Sequence, residues 1–262
     1  MSAEWDQTCL VCVINTENRC SSCAKAGIDL FFCSPDHQKL VWKAHRRVCG
    51  PGKANPFMWP LLSQLEADET IEHMHETTGL FLQVGHVAKS VAGCMHSCNG
   101  YDAEELPGLV RGLVVDTPQP AGPTATARQR FLGDIRAFEV MRQSALPADA
   151  RTPLLATCRD PMAALAFDEF VTASPRDLLN PEPWRAKYRH IMLVRFSLVD
   201  LWRRTAGQEP PAEWLDRIFE RTNDFVRAEV QPLQPRVAEK LFVEERSSET
   251  VTTRPDMRGP AA

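Results

Sequence analysis

The sequence predicts a small metal-stapled finger followed by a mostly α-helical domain. Three observations carry that expectation. Six of the nine cysteines fall within the first 49 residues, most of them in tight pairs. That segment has few large apolar residues before Phe31, so it could scarcely bury a core of its own without a metal to supply folding free energy. Beyond residue 60, apolar side chains recur at helical spacing over several long stretches.

The chain has 262 residues, 44% of them hydrophobic, and a formal net charge of −4. That suffices for one large domain or two small ones around an apolar core. The slight acidity argues against a general nucleic-acid binder, which carries a strong basic excess. No apolar run reaches the roughly eighteen residues needed to span a membrane. The opening "MSAEWDQTCL" places acidic residues where a signal peptide carries a basic and then an apolar region. The expectation is an intracellular protein, in nucleus or cytoplasm, whose clustered cysteines bind metal rather than pair as disulfides.

The finger begins with "CLVCVINTENRCSSC", two CxxC pairs made of Cys9, Cys12, Cys20 and Cys23. "FFCSPDHQKLVWKAHRRVC" adds Cys33, His37, His45 and Cys49. Eight such ligands make two complete tetrahedral zinc sets, and closed four-ligand sites are structural. Cys33 and His37 stand four apart, as do His45 and Cys49, so each pair can face one way on a helical turn. A thioredoxin-like redox pair would need a βαβ pattern around its CxxC, and none surrounds Cys9 or Cys20. Spacing alone allows either a sequential or an interleaved grouping of the ligands.

The order C-x2-C, seven residues, C-x2-C, then FCS, HQ, a tryptophan and H-x3-C resembles the MYND-type zinc finger, over residues 9–49. The resemblance implies two interleaved Zn2+ sites, one from Cys9, Cys12, Cys33 and His37 and the other from Cys20, Cys23, His45 and Cys49. His37 departs from the family, which usually has cysteine there; Asp36 beside it is a weaker substitute. The resemblance also implies a shallow groove for a protein partner or a short proline-containing peptide, with Trp42 at its edge.

Pro35 to Val48 reads as a helix, with proline in its favoured first turn. Trp42 is expected to pack into the finger. Lys39, Lys43, Arg46 and Arg47 form a basic stripe whose simplest reading is a solvated helix face.

"CGPGKANPFMWP" reads as a linker over residues 50–60, and residues 61–245 as a mainly α-helical region of unknown role. Its segments are "LLSQLEADETIEHMH", "GLFLQVGHVAKSVAGC", "RQRFLGDIRAFEVMRQSAL", "DPMAALAFDEFVTAS", "EPWRAKYRHIMLVRFSLVDLWRR", "PAEWLDRIFERTNDFVRAEV" and "PRVAEKLFVEE". A proline-rich loop at 116–127 is the best internal boundary, and 246–262 reads as a disordered tail.

Some MYND fingers sit inside SET-type lysine methyltransferases. His96-Ser97-Cys98 matches the core of the SET active-site motif, but Met95 stands where asparagine belongs and the following Pro-Asn is missing. No GxxxxGK[ST], HExxH or GxSxG occurs. Cys94, His96 and Cys98 make a weak candidate for a third metal cluster, and His73, His75, His86 and His190 read as surface or capping residues. The expected function is therefore zinc binding and protein–protein interaction, as an adaptor or regulatory factor without catalysis. The alternative is an enzyme with an unrecognised site in the helical region.

Overall fold

Proline and short polar caps set where the helices start. In the computed structural model, which describes residues 7–53, 58–77, 90–114, 123–145, 161–172 and 182–241, ten α-helices are found among the described residues. The finger holds α1 (Ser21–Ala24) and α2 (Pro35–Val48). The Ser34 hydroxyl caps α2 by accepting from the His37 amide at 3.2 Å, and Pro35 opens the helix. Isolated antiparallel bridges Thr8–Asn15 and Arg19–Phe31 hold the cysteine turns ahead of it.

Then come α3 (Gln64–His73), α4 (Val91–Asn99) and α5 (Leu106–Arg111). A reciprocal capping box between Ser63 and Glu66 starts α3, and Gly100 ends α4 at φ 74°, a left-handed turn that suits glycine. The longer helices are α6 (Pro123–Ala145), α7 (Pro161–Thr172), α8 (Pro183–Arg204) and α9 (Ala212–Phe225). A π-helical turn over Val226–Val230 continues α9, and α10 is Pro235–Leu241.

Of the proline-rich loop expected at 116–127, only residues 123–127 fall within the described residues. Residues 123–127 belong to the first turns of α6, because proline is well tolerated at a helix start, where its missing N–H leaves no bond unmade. The remainder of that segment, the first part of "GLFLQVGHVAKSVAGC" and the tail at 246–262 lie outside the described residues.

The core forms around α8. Helices α2, α7 and α9 all pack on it, and its residues from Tyr188 to Val199 are buried without interruption. A helix enclosed on every side cannot keep its polar residues in water. Arg189 is therefore paired with Glu169 of α7 in a two-pronged contact, Nη2 to Oε2 at 3.0 Å, and Arg195 lies over the Phe219 ring at 4.1 Å. His190 corrects the sequence expectation of a surface histidine, being 1% exposed.

Helix α6 anchors residues 59–76. The Trp59 amide donates to Gln129 Oε1 at 2.5 Å, and Arg136 Nη2 donates to the Pro60 carbonyl at 2.8 Å. Trp59 packs so close to α6 that a Cβ at Gly133 would lie 2.8 Å from its indole nitrogen.

Candidate metal centres

The backbone delivers the eight ligands before any side chain is considered. At each CxxC the chain reverses tightly: Val13 N donates to Cys9 O at 2.9 Å, and Ala24 N to Cys20 O at 3.0 Å. The Cys20 amide donates to Leu30 O and the Leu10 amide to Phe31 O, which lays both turns against the strand-like segment leading to Cys33. Helix α2 then carries His37 in its first turn and His45 in its last, so one helix serves both clusters.

In the first cluster Cys12 Sγ lies 3.6 Å from Cys33 Sγ, while His37 Nδ1 lies 3.0 Å from Cys33 Sγ and 3.6 Å from Cys9 Sγ. In the second, Cys49 Sγ lies 3.5 Å from Cys20 Sγ and 3.6 Å from Cys23 Sγ. His45 Nε2 lies 3.4 Å from Cys20 Sγ and 3.7 Å from Cys23 Sγ. Within each set all ligand atoms fall inside 4.8 Å of one another.

These separations can be tested against zinc chemistry. Zinc–sulfur bonds of about 2.3 Å and zinc–nitrogen bonds of about 2.0 Å give tetrahedron edges of about 3.8 Å between sulfurs and about 3.5 Å between sulfur and nitrogen. The observed contacts are near those edges, shortest at His37–Cys33. The grouping is Cys9, Cys12, Cys33 and His37 in one set and Cys20, Cys23, His45 and Cys49 in the other, consistent with two zinc ions. The sequential grouping that spacing left open is excluded. Asp36 plays no part: its exposed carboxylate pairs with Lys39 at 3.0 Å.

Protons alone serve such sets unevenly. A hydrogen bond from Cys23 holds the Cys20 thiol down to about 3, with His45 and Cys49 helping against burial. The same contact, joined by burial, pushes the Cys23 thiol up. Burial opposes ionisation of Cys9, yet amides at Cys12, Cys33 and Val11 lower it to about 7. Burial pushes Cys12 up to about 12. A divalent cation stabilises three crowded thiolates together, and that is the chemistry these donors call for.

The helical domain meets both clusters. Trp214 stands edge-on to the His37 ring, with centroids 4.8 Å apart. Arg217 Nη1 donates to the Cys12 carbonyl at 3.2 Å, and Arg221 Nη1 donates to the carbonyls of Thr8 and Cys9 at 3.1 Å and 3.2 Å. His190 of α8 packs against His45 at 5.3 Å. Sequence spacing carries no sign that these residues reach the metal clusters.

Of the third cluster weighed on α4, the Cys98 side chain lies outside the described residues. Cys94 is buried and His96 exposed on α4, where His96 Nδ1 lies 3.0 Å from the Tyr101 carbonyl. Among the described residues they join no metal cluster. Trp42, expected inside the finger, is 43% exposed, since Val41, Ala44, His45 and Val48 take the inward face of α2. Lys39, Lys43 and Arg46 are exposed, as a solvated stripe should be. Beside this face lies a cleft of about 250 Å³ between Asn18, Arg19, Phe32, Pro35 and Gln38. No helix among the described residues is long and apolar enough to cross a membrane.

Comparison with known families matches residues 9–49 to the MYND finger. No curated protein and no solved structure matches the chain. Residues 9–49 are a MYND finger, followed by a mostly helical region.

Proposed function

With residues 9–49 a zinc-binding MYND finger, we propose that the protein is a non-catalytic adaptor or regulatory factor, working in nucleus or cytoplasm, whose finger takes a short proline-containing peptide of a partner protein. MYND fingers are, as a class, protein-interaction modules. The observation that carries the reading is the outward face of α2. Gln38 lines the cleft bounded by Phe32 and Pro35, and the exposed Trp42 follows it one turn further along α2. An exposed flat aromatic on a helix that also lines a shallow cleft suits an extended proline-containing chain, which loses little entropy when it docks. Metal thiolates on this scale also favour a reducing compartment.

A non-enzymatic role is supported by what happens to the most perturbed carboxyl of the α7–α8 contact. Burial pushes Asp168 up to about 7, against the pull of Arg195, but its Oδ2 accepts from the Tyr188 hydroxyl at 3.1 Å within helix packing.

The test is a panel of proline-containing peptides titrated onto the zinc-loaded chain. Binding is expected for a subset, and Trp42→Ala should abolish it with zinc content unchanged. Binding that survives Trp42→Ala, or a panel with no ligand at all, removes the peptide-groove reading.

A further inference from the structure

One stripe of α9 reaches across to the first metal cluster. Trp214, Arg217 and Arg221 recur at intervals of three and four residues, the spacing that keeps side chains on one helical face. Their targets are parts of a single ligand set. The Trp214 ring backs the His37 imidazole at 4.8 Å with planes crossed at 72°. Arg217 holds the carbonyl of Cys12. Arg221, 4% exposed, holds the carbonyls of Thr8 and Cys9 and also bonds the Thr8 hydroxyl.

Charge gives the stripe a second purpose. A dication among three thiolates and a neutral imidazole leaves one net negative charge, and two guanidinium groups on the ligand-bearing turn offset it. Holding a ligand's backbone and orienting its ring are the ways an outer shell tunes a metal site. The second cluster meets the helical region differently, through a ring contact between His45 and His190.

We propose that Trp214, Arg217 and Arg221 are positioning residues for the first zinc site, so that the helical domain sets how tightly the Cys9–Cys12–Cys33–His37 set holds its ion. The second site keeps its ion independently of this stripe. The reading rests on zinc occupancy of the finger and is separate from peptide binding.

The experiment uses the full chain loaded with zinc, challenged with graded chelator, counted by native mass spectrometry and mapped by cysteine alkylation. Trp214→Ala and Arg217→Ala should release one zinc at chelator concentrations lower by about 10- to 100-fold. Alkylation should then fall on Cys9, Cys12 and Cys33 while Cys20, Cys23 and Cys49 stay protected. Trp214→Phe, which keeps an aromatic edge, should behave like the parent chain. Arg217 is exposed, so Arg217→Ala tests the idea even where loss of Trp214 disturbs folding. Release of both ions together, or first-site release unchanged in Arg217→Ala, overturns the proposal. A parent chain that takes up no zinc sinks the metal reading beneath it.

Discussion

His37 and His45 stand on the same helix, α2, yet turn different nitrogens to their clusters, Nδ1 for His37 and Nε2 for His45. The difference follows from position. His37 sits in the first turn, where its own amide is tied to Ser34 Oγ and its ring must reach sideways to Cys33. His45 lies in the last turn and extends its far nitrogen between Cys20 and Cys23.

That geometry makes His37→Ala a one-site lesion. The variant should carry one zinc where the parent carries two, with Cys9, Cys12 and Cys33 open to alkylation. His37→Cys should restore two zincs, since thiolate is the softer ligand and the position lies within reach of Cys33. Native mass spectrometry of the two variants decides it, and an unchanged count in His37→Ala would remove the residue from the ligand set.

Glu169 and Arg189 test the α7–α8 contact. Both are nearly fully buried, at 3% and 5% exposure, so removing one leaves the other's charge stranded. Glu169→Ala should cost about 3 to 5 kcal/mol in denaturant unfolding. Replacing the pair with Leu and Met should recover most of that loss, because desolvation is then no longer demanded of either group.

Gly133 tests the docking of Trp59. Gly133→Ala gains helix propensity but places a methyl 2.8 Å from the indole nitrogen of a side chain only 7% exposed. The clash should dominate, with a net loss of about 1 to 3 kcal/mol by thermal or chemical denaturation. A stabilised Gly133→Ala chain would mean that Trp59 packs elsewhere.

Asp134 gives a pH signature. Burial pushes its carboxyl from 3.8 up to about 6, outweighing Arg130 and the hydrogen bond from Asn99. The folded chain therefore binds this proton more tightly than the unfolded chain does. Its penalty is absent below the unfolded value and accrues as pH rises from 3.8 to about 6. Asp134→Asn should raise stability near neutrality by about 2 kcal/mol and lose that advantage below about pH 4. Measuring the difference between variant and parent at each pH cancels the acid loss of zinc, which both share.

Helix α2 was legible to the residue because its signals are local: a serine cap, a proline and a ligand at each end. The eight ligands were legible as types and spacings, but their interleaved grouping depends on how the chain folds back at Phe31, which spacing does not contain. In "LLSQLEADETIEHMH" Leu65 counts among the apolar residues compatible with a helix, yet it is 64% exposed because α3 buries Ala67 and Thr70 instead. His190 reads as a surface residue and is buried, for the converse reason. Periodicity describes one helix at a time, and α8 is enclosed by three neighbours that its own sequence does not announce. The α9 stripe was invisible for the same cause, since an arginine at helical spacing looks solvated until its distant target is known.

Thr8 and Arg221 are 213 positions apart in the chain. During synthesis Thr8 leaves the ribosome well ahead of its arginine clamp, which follows only after 213 further positions have been made. At about 5 to 20 residues per second the interval is about 10 to 40 seconds. A nascent finger thus spends that time with both cysteine pairs made and only one half of its environment built. Both ligand sets are complete by Cys49, long before Trp214, Arg217 and Arg221 are made, so the first site gains its outer contacts last.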